Sequence, residues 1–174
     1  SFNHNCTNIV LKLVESWPSW PGKWLNIFGP TGSGKTHLAN ILEKKIDKIK
    51  IINASNVSNK TLQELNNLDC LIIDKFENDI DETLLYSILN QSKQLDNHIL
   101  INSNLSTKSI SFKLEDLRSR MNSFLYIGIE LPTDDLLKVI ISKTLSDKQI
   151  SINPKISDFI INNVERSYEK MIKF

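Results

Sequence analysis

Eight consecutive residues carry the most chemical information in this chain: Gly29-Pro30-Thr31-Gly32-Ser33-Gly34-Lys35-Thr36. They fit the pattern GxxxxGK[ST], in which a glycine-rich loop cradles the phosphates of a nucleotide. Gly32 and Gly34 accept backbone angles that bulkier residues resist, so the loop N–H groups can turn inward around an anion. A helix that starts near Lys35 aims its free N–H groups and positive dipole end at the same anion. The spacing predicts that Lys35 reaches the β- and γ-phosphates and that the Thr36 hydroxyl meets a Mg²⁺ ion. The run from Gly29 to Thr36, with His37 after it, is thus a candidate site for ATP or ADP. Its context fits. The apolar run Trp24–Phe28 precedes it, and Leu38, Ile41, Leu42 and Ile46 follow at helical spacing.

A second metal ligand is expected to be a carboxylate at the end of another buried strand, and "CLIIDKFE" supplies Asp74 there. The next residue is Lys75, where nucleotide-cleaving proteins with this loop usually place an acid that polarises water. A protonated lysine cannot act as that base. Glu77 and Asp79 follow closely, but nothing in the sequence assigns either of them the task. Efficient ATP hydrolysis by this chain alone is therefore not expected.

The elements that must position these groups alternate. Helical spacing covers Thr7 to Trp17 (Ile9, Val10, Leu13, Val14, Trp17), with Thr7 or Asn8 as its cap. "WPSWPGK" breaks it. Strands are predicted at Trp24–Phe28, Lys50–Asn53, Cys70–Asp74, "HILINSN" and "FLYIGIEL", the last ending at Pro132. Helices lie between them, one capped by Asp81 or Asp79. This alternation implies an α/β fold with a parallel sheet covered on both faces. From about residue 132 the pattern is helical only, so two units are expected: an α/β nucleotide-binding domain over 1–131 and a small helical lid over 132–174. The last helix carries no stop signal at Phe174, so the lid is expected to be incomplete.

Composition sets limits. The 174 residues are 40% hydrophobic, enough for a real core. The net charge of +1, from 21 basic and 20 acidic side chains, announces neither a nucleic-acid groove nor an anionic membrane partner. Cys6 and Cys70 form no CxxC, and His4, His37 and His98 show no metal-ligand spacing. No apolar run approaches a membrane span, and no secretory signal is visible, so a cytoplasmic setting is expected. Cys70 opens an apolar strand and reads as a buried small hydrophobe.

The order phosphate loop, "LIID", "ILINSN", "LRSRM", helical tail resembles the AAA+ ATPases (P-loop NTPases). Within them it resembles the bacterial replication initiator DnaA and its shorter relative Hda. "LVESWPSWPGKWLNIFGPTGSGKTHLA" and "ERSYEKM" are most similar to Hda-type proteins, and the likeness spans nearly the whole chain. The resemblance implies a five-stranded parallel sheet in the order 5-1-4-3-2 and a helical lid over the nucleotide. It places Asn102 and Asn104 at the γ-phosphate sensor, with Asn104 at the position where relatives often carry Asp. It makes Arg120 the arginine finger that reaches a neighbouring subunit's nucleotide; Arg118 reads as solvated helix face. The lid sensor falls on Glu169, or on Lys170 after a one-residue shift. Trp17, Trp20 and Trp24 either line the adenine pocket or pack as core, and packing is the preferred reading.

The function implied is a nucleotide-gated regulator of replication initiation that promotes ATP hydrolysis by DnaA. The alternative is an ATP-hydrolysing initiator-like protein or helicase loader. A small-molecule kinase is disfavoured by the helical tail and "LRSRM". The implied partners are DnaA, a sliding clamp through a segment preceding Phe2, and further copies of the chain. Duplex DNA binding is not expected of these residues.

Overall fold

The computed structural model describes residues 11–130; the expected lid, with Glu169 and Lys170, lies outside them, as do Thr7 and Asn8. A helix, α1, includes residues 11–16. Then follow β1 (Trp24–Phe28), α2 (Lys35–Lys45), β2 (Ile49–Asn53), α3 (Asn59–Glu64), β3 (Cys70–Phe76), α4 (Glu82–Leu95), β4 (His98–Ser103), α5 (Glu115–Met121) and β5 (Leu125–Gly128). All five strands are parallel and run in the order β2-β3-β4-β1-β5, the expected order read from the other edge.

The sheet is apolar on both faces because successive side chains of a strand alternate between them. On one face Leu71 and Ile73 of β3 and Ile99 and Ile101 of β4 meet Leu85, Ile88 and Leu89 of α4 and Leu117 and Met121 of α5. On the other, Cys70 and Ile72 of β3 and Leu25 and Ile27 of β1 meet Leu38, Ala39 and Leu42 of α2 and Leu13 of α1. Burial pushes the Cys70 thiol far up, so it stays protonated and inert. Among the described residues no helix is long and apolar enough to cross a membrane.

Local signals explain the element ends. Asp81 caps α4, its Oδ1 accepting from Leu84 N–H at 3.1 Å. Glu82, in the first turn, accepts N–H bonds from Lys113 (3.0 Å) and Leu114 (2.7 Å), which hold its carboxyl below the usual range and tie α4 to the start of α5.

Several strand bounds need correction. β2 starts at Ile49, one residue before the expected Lys50, and β3 runs to Phe76, past the expected end at Asp74. β5 covers only Leu125–Gly128 of "FLYIGIEL". It is an edge strand that pairs with β1 alone, and β1 ends opposite it at Phe28. Beyond that, a single bond from Ile129 N–H to Phe28 O (2.8 Å) continues the pairing. β4 likewise ends at Ser103, leaving Asn104 on the following loop.

Candidate nucleotide site

The phosphate loop leaves the end of β1 and returns as α2. Gly29 packs directly on the backbone just after β5: a Cβ there would lie 2.2 Å from the Ile129 carbonyl oxygen. Gly32 and Gly34 have φ of 84° and 99°, angles that admit glycine without strain. Gly34 caps α2 with no side-chain hydrogen bond, and the first turn of α2 holds no acid. The first turn of this 11-residue helix therefore brings its N–H groups and positive dipole end to the loop without an acidic residue of its own, which is the setting for an anion.

The buried Lys35 ammonium donates to Gly29 O (2.6 Å), Pro30 O (3.0 Å) and Ser33 Oγ (3.3 Å). It sits inside the loop it serves, where a phosphate would offer a charged acceptor in place of two neutral carbonyls. Thr31, Gly32, Gly34, Lys35, Thr36 and His37 line a cavity of about 580 Å³. Gly29, Pro30 and Ser33 build the loop from behind.

Asp74 is buried at the C-terminal end of β3, and its Oδ2 accepts from Thr36 Oγ1 at 2.9 Å. A hydroxyl and a carboxylate oxygen thus converge at one point on the cavity wall, a donor pair that suits a Mg²⁺ ion completed by waters and phosphate oxygens. Asn102 donates from Nδ2 to Asp74 Oδ1 (3.1 Å) and to Lys35 O (3.2 Å). Its Oδ1 is buried with no hydrogen-bond partner, an acceptor that a metal-bound water would satisfy. The donor set therefore fits the ion.

The expected sensor residues separate here. Asn102 is buried beside Asp74 and positions it; Asn104 is exposed on the cavity rim. Glu77 and Lys75 also line the cavity and are exposed, whereas Asp79 is not on its wall. None of the three tryptophans lines it. Trp24 and Trp20 are buried on opposite faces of the sheet, and Trp17 packs on Trp20 with ring centroids 4.9 Å apart.

Arg120 stands elsewhere. It is half-buried in a cleft of about 210 Å³ with Lys23 and Trp24 at the start of β1 and Asn97 just before β4. These are the N-terminal ends of the strands, so Arg120 and the phosphate loop occupy opposite ends of the sheet. Arg118 is exposed.

Asn26 was not singled out by its sequence pattern. Fully buried in the middle of β1, it donates to Ile101 O (3.0 Å) and Ser103 Oγ (2.9 Å), and its Oδ1 accepts from Thr107 N–H and Oγ1 (2.9 Å each). It anchors the loop that carries Asn104. An amide inside the apolar run "WLNIF" was the available signal, since such a group is buried only when it is fully bonded.

Residues 25–116, just over half of the chain, match the model of a family described as RNA helicase. The chain belongs to that family. Its domain is DnaA-like AAA+ in fold. It is 25% identical to the chromosomal replication initiator protein DnaA of Chlorobaculum tepidum, a match that covers 96% of this chain and 39% of that protein. The chain thus spans well under half of the curated relatives it matches. Domain III of the Thermotoga maritima replication initiation protein DnaA superposes with a TM-score of 0.77 at 19% identity, over 98% of this chain and 80% of that one. AMPPCP-bound DnaA from Aquifex aeolicus gives a TM-score of 0.71 at 19% identity, over 98% and 59%.

Proposed function

We propose that this chain is a nucleotide-gated regulator of bacterial replication initiation. It binds ATP or ADP with Mg²⁺ through the loop Gly29–Thr36 and Asp74, and it promotes ATP hydrolysis by the initiator DnaA by lending Arg120 to the initiator's site. The observation that carries this reading is the placement of Arg120 at the end of the sheet opposite the phosphate loop. From there its guanidinium serves another molecule's nucleotide, where it stabilises charge developing on the γ-phosphate. Three features support the binding half: the Thr36–Asp74 pair, the Lys35 ammonium within the loop, and the likeness to DnaA, one of whose structures carries AMPPCP. Lys75 at the usual acid position supports slow hydrolysis by the chain itself.

A second reading, an ATP-hydrolysing initiator-like protein or helicase loader, draws on Glu77, a carboxylate on the cavity wall. Turnover separates the two. ATP hydrolysis is measured with the chain alone, then with DnaA, then with DnaA and Arg120→Ala. The regulator reading expects little turnover alone, a rise of at least about a hundredfold in the mixture, and loss of that rise in the variant. Rapid turnover by the isolated chain, indifferent to Arg120→Ala, supports the second reading instead.

A further inference from the structure

Strand β3 breaks its own alternation at the cavity. Ile73 pairs with Ile101 and Phe76 with Ser103, so Asp74 and Lys75 together face the single residue Asn102. This is a β-bulge. Leu71 and Ile73 pack on the α4/α5 face, and strict alternation would send Lys75 into the same apolar layer. The bulge slips the phase by one: Phe76 joins Leu71 and Ile73 in that layer, and Lys75 is exposed on the cavity wall. The slip has a backbone cost, because Lys75 takes φ of 52°, a left-handed angle unfavourable for a residue with a Cβ. Strain of this kind at a binding cavity is where functional constraint is found.

The consequence is a second ammonium on the wall that also holds Gly34, Lys35 and Thr36. Among the described residues Lys75 makes no ion pair. Glu77 shares the wall and offsets part of its field, as does Asp74. A nucleoside triphosphate brings one more anionic group to this cavity than a diphosphate does, and an ammonium beyond Lys35 is placed to meet it. We propose that Lys75 is a γ-phosphate ligand that makes the cavity prefer nucleoside triphosphate over diphosphate, in the place where an acid would promote cleavage. This rests on the nucleotide-binding reading above and assigns that site its specificity.

The test is equilibrium binding of AMPPCP and of ADP, each with Mg²⁺, to the wild-type chain, Lys75→Gln and Lys75→Gly. The glycine variant removes the ammonium while suiting the left-handed backbone, so it guards against loss through misfolding. Both variants are expected to bind AMPPCP about threefold to tenfold more weakly and ADP as before. An unchanged ratio of the two affinities, or a parallel loss of both, overturns the proposal. Lys35→Ala separates it from the reading beneath it: if that variant loses both nucleotides while the Lys75 variants keep the wild-type ratio, only the γ-phosphate role fails. If the wild-type chain binds neither nucleotide, both fall.

Discussion

Among the described residues, the two ends of the sheet each hold one non-glycine residue in the left-handed region, and they use it differently. At the N-terminal end of the strands, Asp96 has φ of 59° and closes α4, its N–H donating to Ser92 O. That is an ordinary way to finish a helix, and a short polar side chain tolerates it. Around it lie packing contacts and a surface ion pair to Lys23 (3.2 Å). At the C-terminal end, Lys75 with φ of 52° ends no helix; it interrupts a strand. Beside it are the two positive-φ loop glycines, the Thr36–Asp74–Asn102 hydrogen-bond chain and the ammonium of Lys35. One end spends its backbone exceptions on finishing an element, the other on presenting groups to a cavity. Removing a functional side chain should therefore separate the ends: at the N-terminal end it acts on stability or on a partner, at the C-terminal end on the nucleotide.

The largest effect expected is on the loop. Lys35→Ala removes a charge-assisted phosphate contact and is expected to weaken both ATP and ADP by about a hundredfold in a binding titration, with little change in Tm. A variant that melted early but bound normally would erase the distinction between the ends. Gly29→Ala is next. Its Cβ would meet backbone, which cannot swing aside as a side chain can, and a loss of about 1–3 kcal/mol in denaturant unfolding is expected.

The smallest effect is expected at the other end. His98 is buried against Trp17 and Trp20, with ring centroids 4.5 and 5.2 Å away. Burial, then the nearby Lys23 charge, lowers its pKa. The unfolded imidazole takes its proton near pH 6.5, the folded one only at lower pH. The contribution of His98 is thus complete above about pH 6.5 and declines as pH falls through that window. Melting curves between pH 7 and 5 should show this decline in the wild type and a flatter profile in His98→Gln.

Much of the C-terminal end was legible in the residues themselves. The spacing of Gly29 to Thr36 and the carboxylate of Asp74 after an apolar run need only local geometry, and continuous apolar strands imply a sheet covered twice. What escaped was what depends on pairing between distant segments. The bulge at Asp74–Lys75 exists only relative to Asn102, so the expected strand stops at Asp74 and its continuation to Phe76 shows only in the pairing. Asn26 looks like a blemish in an apolar run until Ile101, Ser103 and Thr107 surround it. The resemblance offers both Asn102 and Asn104 as the sensor; only the end of β4 at Ser103 shows which one is buried beside Asp74 and which stands at the rim. The position of Arg120 relative to the loop also needed the sheet, which sets the two at opposite ends.

On the proposed reading this cavity holds a nucleotide and cleaves it poorly, because an ammonium stands where an acid is needed. Single-turnover ATP hydrolysis by the wild-type chain and by Lys75→Glu tests it most directly. The expected result is barely measurable cleavage in the wild type and a gain of at least about tenfold in Lys75→Glu, in keeping with a restored general base. Fast cleavage by the wild-type chain, left unchanged or slowed in Lys75→Glu, would contradict it.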